Sequence, residues 1–220
     1  MRRLAQPNVV ISAAVAAALS AIFSLPRMVL WETRKMPVWD LEATVFLGGF
    51  VLWAFVFAWH TAYTGRPVFT KNIKPSLIVA TTLAGIFLAL SFHFFLDPSM
   101  RRVTPEDFPA DFGHWVAATL FSLAFTQLFL IYAPFAWVMR LARNEQVATW
   151  MTVALGVVVL SMKIKASSVS VPPLLIAELV LLRIVGTFLG VWFYLRGGIF
   201  VVWWLELLVE ARHLLDIQGI

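Results

Sequence analysis

Seven side chains in this 220-residue sequence pair acid, base or ligand chemistry with strongly apolar flanks: His60, His93, Glu178, Arg183, Glu206, Glu210 and His213, with His114 at the edge of an apolar run. An ionisable group inside a bilayer costs roughly 2.5 to 3.5 kcal/mol by insertion scales, so each is expected to face a partner or a wet cavity. Glu206, Glu210 and His213 follow i, i+4, i+7 spacing and fall on one face of a helix. Two carboxylates and an imidazole on one face can act as acid, base or metal ligand, which makes these three the candidate catalytic residues. Glu210-Ala211-Arg212-His213 is also a Glu-x-x-His element of the kind that binds iron or manganese in di-metal bundles. Such a site needs two of these elements, and the sequence holds one. The plainer reading is a helix seam glued by Arg183.

The histidines sort by membrane side. His93, His114 and His213, with Glu178 and Glu210, fall toward one side and are the candidate ligands for a single metal ion. His60 and His93 are candidate axial ligands for a haem or pigment, but they fall near opposite faces and cannot share one haem. Each sits among aromatics, FAWH at 57–60 and FHFF at 92–95, where a histidine more often hydrogen-bonds a carbonyl. No cofactor is predicted, with a single metal ion or a pigment left open. The absence of cysteine removes disulfides, thiolate nucleophiles, iron–sulfur clusters and Cys-ligated zinc.

The elements that must position these groups are membrane helices. The chain is 61% hydrophobic and 13% charged, too little polar material to cover a folded surface in water. A span needs roughly 20 mostly apolar residues. Seven runs qualify, at Val9–Leu25, Ala43–Tyr63, Leu77–Leu96, His114–Val138, Val147–Met162, Leu174–Leu195 and Ile199–Leu215. They lack the strict alternation of barrel strands, so the expected fold is an all-α, polytopic transmembrane helical bundle of about seven spans, in one domain over 1–220. The first run, behind Arg2 and Arg3, has the outline of a signal peptide and is expected to remain as an anchor. The last is the weakest, because Glu206, Glu210, Arg212 and His213 interrupt it.

The net charge of +5 is spread over short loops, which points to anionic lipid headgroups and away from nucleic acid. Lys and Arg divide eight against eight between the two sides, so loop charge leaves orientation undecided. Arg2 and Arg3 beside the first helix favour a cytoplasmic N-terminus in an inner membrane. Trp31, Trp39, Trp59, Trp115 and Trp150 sit near span ends, as an interfacial belt requires, while Trp203 and Trp204 lie deeper. The polar segment DPSMRRVTPEDFPAD, from Asp97 to Asp111, is placed to cap the metal-ligand side or to meet a partner.

The turn Arg196-Gly197-Gly198 is expected to fold the last two helices into a tight antiparallel hairpin, so that residues equally far from Gly197 lie level. Arg183 is fourteen residues before it and Glu210 thirteen after it, within roughly 2 Å in depth at about 1.5 Å per residue. Arg183 and Glu210 are therefore the expected ion pair. Glu206, nearer the turn, remains within reach of a long arginine.

From about Thr126 onward the layout resembles the CAAX-protease and bacteriocin-processing (Abi) family of intramembrane peptidases. The residues that carry the likeness are GTFLGVWFYLRGGIFVVWW at 186–204, similar to that family's penultimate glycine-containing helix, Tyr-Leu-x-x-Gly turn and the start of its last motif helix. The resemblance implies a peptidase-like helical core over 114–217. It also implies Glu-Glu-x-x-x-Arg, Phe-x-x-x-His and His-x-x-x-Asn/Asp motifs, which are absent. The corresponding segments read FTQLFLIYAPF, VVLSMK with Lys163 in place of histidine, and WLELLVE with Glu206 as nearest polar group. The expected function is a non-catalytic subunit, scaffold or adaptor for other membrane chains, on a peptidase-like scaffold that has lost its site. The alternatives are an intramembrane peptidase or metal-dependent enzyme using Glu206, Glu210 and His213, and a small transporter. A transporter calls for ionisable groups through the full thickness, whereas these lie to one side.

Overall fold

The computed structural model describes residues 3–30, 36–166 and 170–217. Over these residues the protein is helical, and the one β-type contact is an isolated bridge between Phe69 and Gly198. Six helices are long and apolar enough to cross a membrane: α1 Pro7–Leu30, α2 Val38–Thr64, α3 Pro75–Val103, α4 Phe112–Ala142, α5 Glu145–Ala166 and α6 Pro173–Leu215. The first five contain the first five apolar runs. The sixth joins the last two, and if straight its 43 residues would extend about 65 Å, twice the hydrocarbon thickness.

It is not straight. Gly198 has φ 68° and ψ −164°, a conformation that in practice only glycine adopts, and it interrupts the helical backbone. Arg183 feels the charge of Glu206, which 23 residues of unbroken helix would hold about 34 Å away. Trp192 and Trp204 also reach the same stretch of α3, the first lining a cavity with Ala80 and the second donating from Nε1 to Thr82 Oγ1 at 2.9 Å. The chain therefore folds back at Gly198. Arg196 and Gly197 remain helical, so one residue makes the turn expected to take three.

Two prolines reshape the helices they enter. A proline ring clashes with the carbonyl four residues back, and widening the turn relieves the clash. Just before Pro98, Asp97 N–H donates to Phe92 O, and before Pro134, Ala133 N–H donates to Leu128 O, each five residues back. Two helix ends show ordinary caps. Gly65, at φ 70°, closes α2, while Asn144 Oδ1 opens α5 by accepting from the N–H groups of Gln146 and Val147 at 2.9 and 3.1 Å.

The chain divides into two compact units, Met1–Val68 with Val116–Ala148, and Phe69–Trp115 with Thr149–Ile220. In the first, small residues let helices approach: a Cβ on Gly49 would sit 3.8 Å from Ala17 Cα, and Ala13, Ala17 and Ala21 are buried. Trp53 Nε1 donates to Ser20 Oγ at 3.0 Å, and Ser20 Oγ donates to Ala124 O at 3.1 Å, tying α1, α2 and α4 through buried polar atoms. Trp59, expected at the interface, is buried beneath the Arg140 guanidinium, 4.4 Å from the ring centroid. Trp39 and Trp150 are exposed, and Trp31 lies outside the described residues, as do Arg2, Arg34 and Lys35 of the orientation count.

In the second unit, the arm of α6 beyond Gly198 runs parallel to α3. Gly197 lies against Leu77, Trp204 against Thr82 and Leu208 against Gly85, where an added Cβ would come within 2.9 Å of Leu208 Cβ. The arm before Gly198 packs antiparallel to α5, with Trp150 on Phe188 and Gly156 against Thr187 and the Arg183 stem.

Candidate functional site

Because α3 and the last arm of α6 run parallel, their C-terminal ends arrive together and bring their charges with them. At the end of α3, the wide turn at Phe92–Leu96 presents His93 and Asp97. At the end of α6, the helix tightens into a 3-10 turn over Ala211–Leu215 that carries Arg212 and His213, with Asp216 just beyond.

These groups interlock. Arg212 Nε donates to Asp97 Oδ2 at 3.0 Å, Arg212 Nη1 donates to Val209 O at 2.8 Å, and the guanidinium lies over the Phe92 ring. The two side chains of the ion pair are 12% and 4% exposed. Arg101 Nη2 meets Asp216 Oδ2 at 2.6 Å while its guanidinium covers Phe108, and His93 Nδ1 lies 3.5 Å from the same Asp216 oxygen. His213 is buried edge-on against Phe108, with Nε2 3.8 Å from Glu210 Oε2 and no hydrogen-bond partner on Nδ1. Trp115 Nε1 donates to Glu210 O at 2.8 Å.

The loop before α4 closes over this cluster, as its position in the sequence suggests, through Phe108 and through a cap of its own. Asp111 Oδ1 accepts from His114 N–H at 2.9 Å, and Asp111 Oδ2 lies 2.9 Å from His114 Nδ1. The hydrogen bond from the His114 backbone, then that from its side chain, holds the Asp111 carboxyl below the usual range of an aspartate.

Of the sequence candidates, Glu206, Glu210 and His213 do fall together: Glu210 feels the charge of Glu206, and His213 adjoins Glu210. His93 joins them through Asp216, His114 is held by Asp111, and Glu178 is half-buried with no hydrogen bond or ion pair among the described residues. His60 belongs to the other unit, wholly buried with its ring centroid 6.2 Å from that of Phe135.

The expected pair of Arg183 with Glu210 does not form; the charge facing Arg183 is Glu206. A count of depth sets level along the two arms and not which face of each meets the other. Here the first arm packs on α5 and the second on α3; the Glu210 carbonyl accepts from Trp115 Nε1, and the cation that faces its carboxylate is Arg212.

His93, Asp97 and Asp216 offer ligand atoms that all lie within 4.8 Å of one another, a donor set of one imidazole and two carboxylates suited to a divalent cation. Each carboxylate, however, already holds a guanidinium at 3.0 Å or less, and a cation would have to share it. The ionic members were legible in the sequence only as span-ending charges. Asp97, Arg101, Arg212 and Asp216 become a group once α3 and the end of α6 are known to be parallel, and no local spacing encodes that. Comparison with known proteins adds no assignment: no family model, no curated protein and no solved structure matches this chain.

Proposed function

We propose that this chain is a non-catalytic integral membrane protein that serves as a subunit, scaffold or adaptor for other membrane proteins, on a degenerate scaffold of the Abi intramembrane-peptidase type. The observation that supports it is the pairing of the ionic cluster: Asp97 with Arg212 and Asp216 with Arg101. A carboxylate paired with a guanidinium is held in its charged form and is a poor general base. Structural cohesion is the role such pairs fit.

The outward surface supports the same reading. Leu83, Phe87, Phe94 and Phe95 are exposed along one helix, α3, and Leu47 and Leu174 stand out elsewhere. Such a surface suits lipid and the apolar faces of other membrane helices. On this reading α6, interrupted at Gly198, crosses as two arms, for seven crossings in all, in a cytoplasmic membrane with the N-terminus inside.

Isolation from native membrane in a mild detergent tests this function. A stoichiometric membrane partner that survives gel filtration is expected. A solitary chain carrying one equivalent of a transition metal would contradict it and favour the second reading, a metal-dependent intramembrane enzyme built on His93, Asp97 and Asp216 with Glu206, Glu210 and His213 beside them.

A further inference from the structure

The opposite end of the α3–α6 pair carries a different site. A cavity of about 410 Å³ opens there, between the start of α3 and the last turn before Gly198. Lys74 and Arg196 line it from separate elements. The Arg196 guanidinium lies 3.7 Å from the centroid of the Trp192 ring and donates from Nη1 to Trp192 O at 3.3 Å, so the charge is held in place at the rim. Among the described residues, neither cation has a carboxylate partner.

Asn72 and Ser76 add hydrogen-bonding groups to the wall, and the first turn of α3 has no side-chain cap. Leu77 and Ala80 continue the lining along α3 toward its apolar stretch. Two cations without carboxylate partners beside an apolar wall, with a tryptophan under one of them, match a phosphate that carries a hydrocarbon tail.

We propose that this cavity binds an anionic phosphate, with the phosphate group between Lys74 and Arg196 and an apolar tail along Leu77 and Ala80. Phosphate chemistry is common to a membrane lipid and to free inorganic phosphate. The apolar wall favours the lipid. The site rests on the α3–α6 geometry alone and holds whether the chain crosses the membrane six or seven times.

The test is native mass spectrometry of the full chain in detergent micelles, supplied with equal amounts of phosphatidylglycerol and phosphatidylcholine. The parent protein should retain phosphatidylglycerol preferentially. Lys74→Gln and Arg196→Gln should each lower that preference about fivefold, the effect of one surface cation, whereas Arg102→Gln, at the other end of α3, should not. Lys74 is exposed and forms no pair, so Lys74→Gln keeps the test open should Arg196→Gln fail to fold. Displacement of the lipid by millimolar inorganic phosphate would identify the free anion as the ligand and overturn the tail assignment. Equal lipid retention by the parent and Lys74→Gln, or an equal loss in Arg102→Gln, would overturn the site.

Discussion

Arg212 Nε and Asp97 Oδ2 lie 3.0 Å apart at the shared end of two parallel helices, 115 residues apart in sequence and almost wholly removed from the surface. The pair fixes where the chain's last turn docks. Removing one partner of a buried pair leaves a charge without compensation, which costs roughly 3 to 5 kcal/mol. Asp97→Leu and Arg212→Leu should each lower the unfolding free energy obtained from a denaturant titration by that much. The double substitution should recover a large part of the loss, and strictly additive losses would remove the pair from the account.

Gly198 is the second fixed point. A side chain at φ 68° and ψ −164° is strained whatever space surrounds it, at a cost of about 1 to 3 kcal/mol. Gly198→Ala should therefore be destabilising. Gly197→Ala should be so for a different reason, because its Cβ would land on Val201 Cγ2 and come within 2.9 Å of Leu77 Cδ2. Trimming Leu77 to Ala should relieve part of the Gly197→Ala defect and none of the Gly198→Ala defect, which thermal unfolding of the two double variants would distinguish.

The first five helices are plain in the sequence because each contains an apolar run long enough to span, although α1 and α3 run on past Pro26 and Asp97-Pro98. The sequence also makes plain that Glu206, Glu210 and His213 share a face, since helical spacing alone decides that. Which arginine meets which acid was hidden. Depth along a helix can be counted from a turn, but the partners against which its two arms pack, Gly156 on α5 and Gly85 on α3, are tertiary facts. Asp97 stands in the sequence only as the start of a polar segment for the same reason: its partner lies on a helix 115 residues away.

Trp204 and Thr82 form a hydrogen bond between the same two helices. Within membranes such bonds contribute about 0.6 kcal/mol on average. Trp204→Phe and Thr82→Val should each cost that order of stability, and a double-mutant cycle should return a coupling of similar size. A coupling of zero would mean that the indole is held by packing alone.

Asp111 gives the pH dependence a sign. Its carboxyl titrates below the ordinary aspartate value, so its capping contribution to α4 is complete above that value and is lost as pH falls through the lower, folded one. Protection of the His114 amide, its exchange rate relative to the intrinsic rate at the same pH, should fall at acid pH in the parent protein. Protection should be low at all pH values in Asp111→Ala, and retained through that titration in Asp111→Asn, which keeps an acceptor. Protection that does not fall with acid in the parent would contradict the cap.

The fold-back at Gly198 carries the topology, and the absence of native cysteine makes it directly measurable. Single cysteines in place of Gln6, Asn72 and Ile217 can be labelled with a membrane-impermeant maleimide in sealed, oriented vesicles. Seven crossings require Cys labelling at positions 6 and 72 from one side and at position 217 from the other. Labelling of all three from the same side would mean that α6 does not cross twice, and the account of its two arms would be wrong.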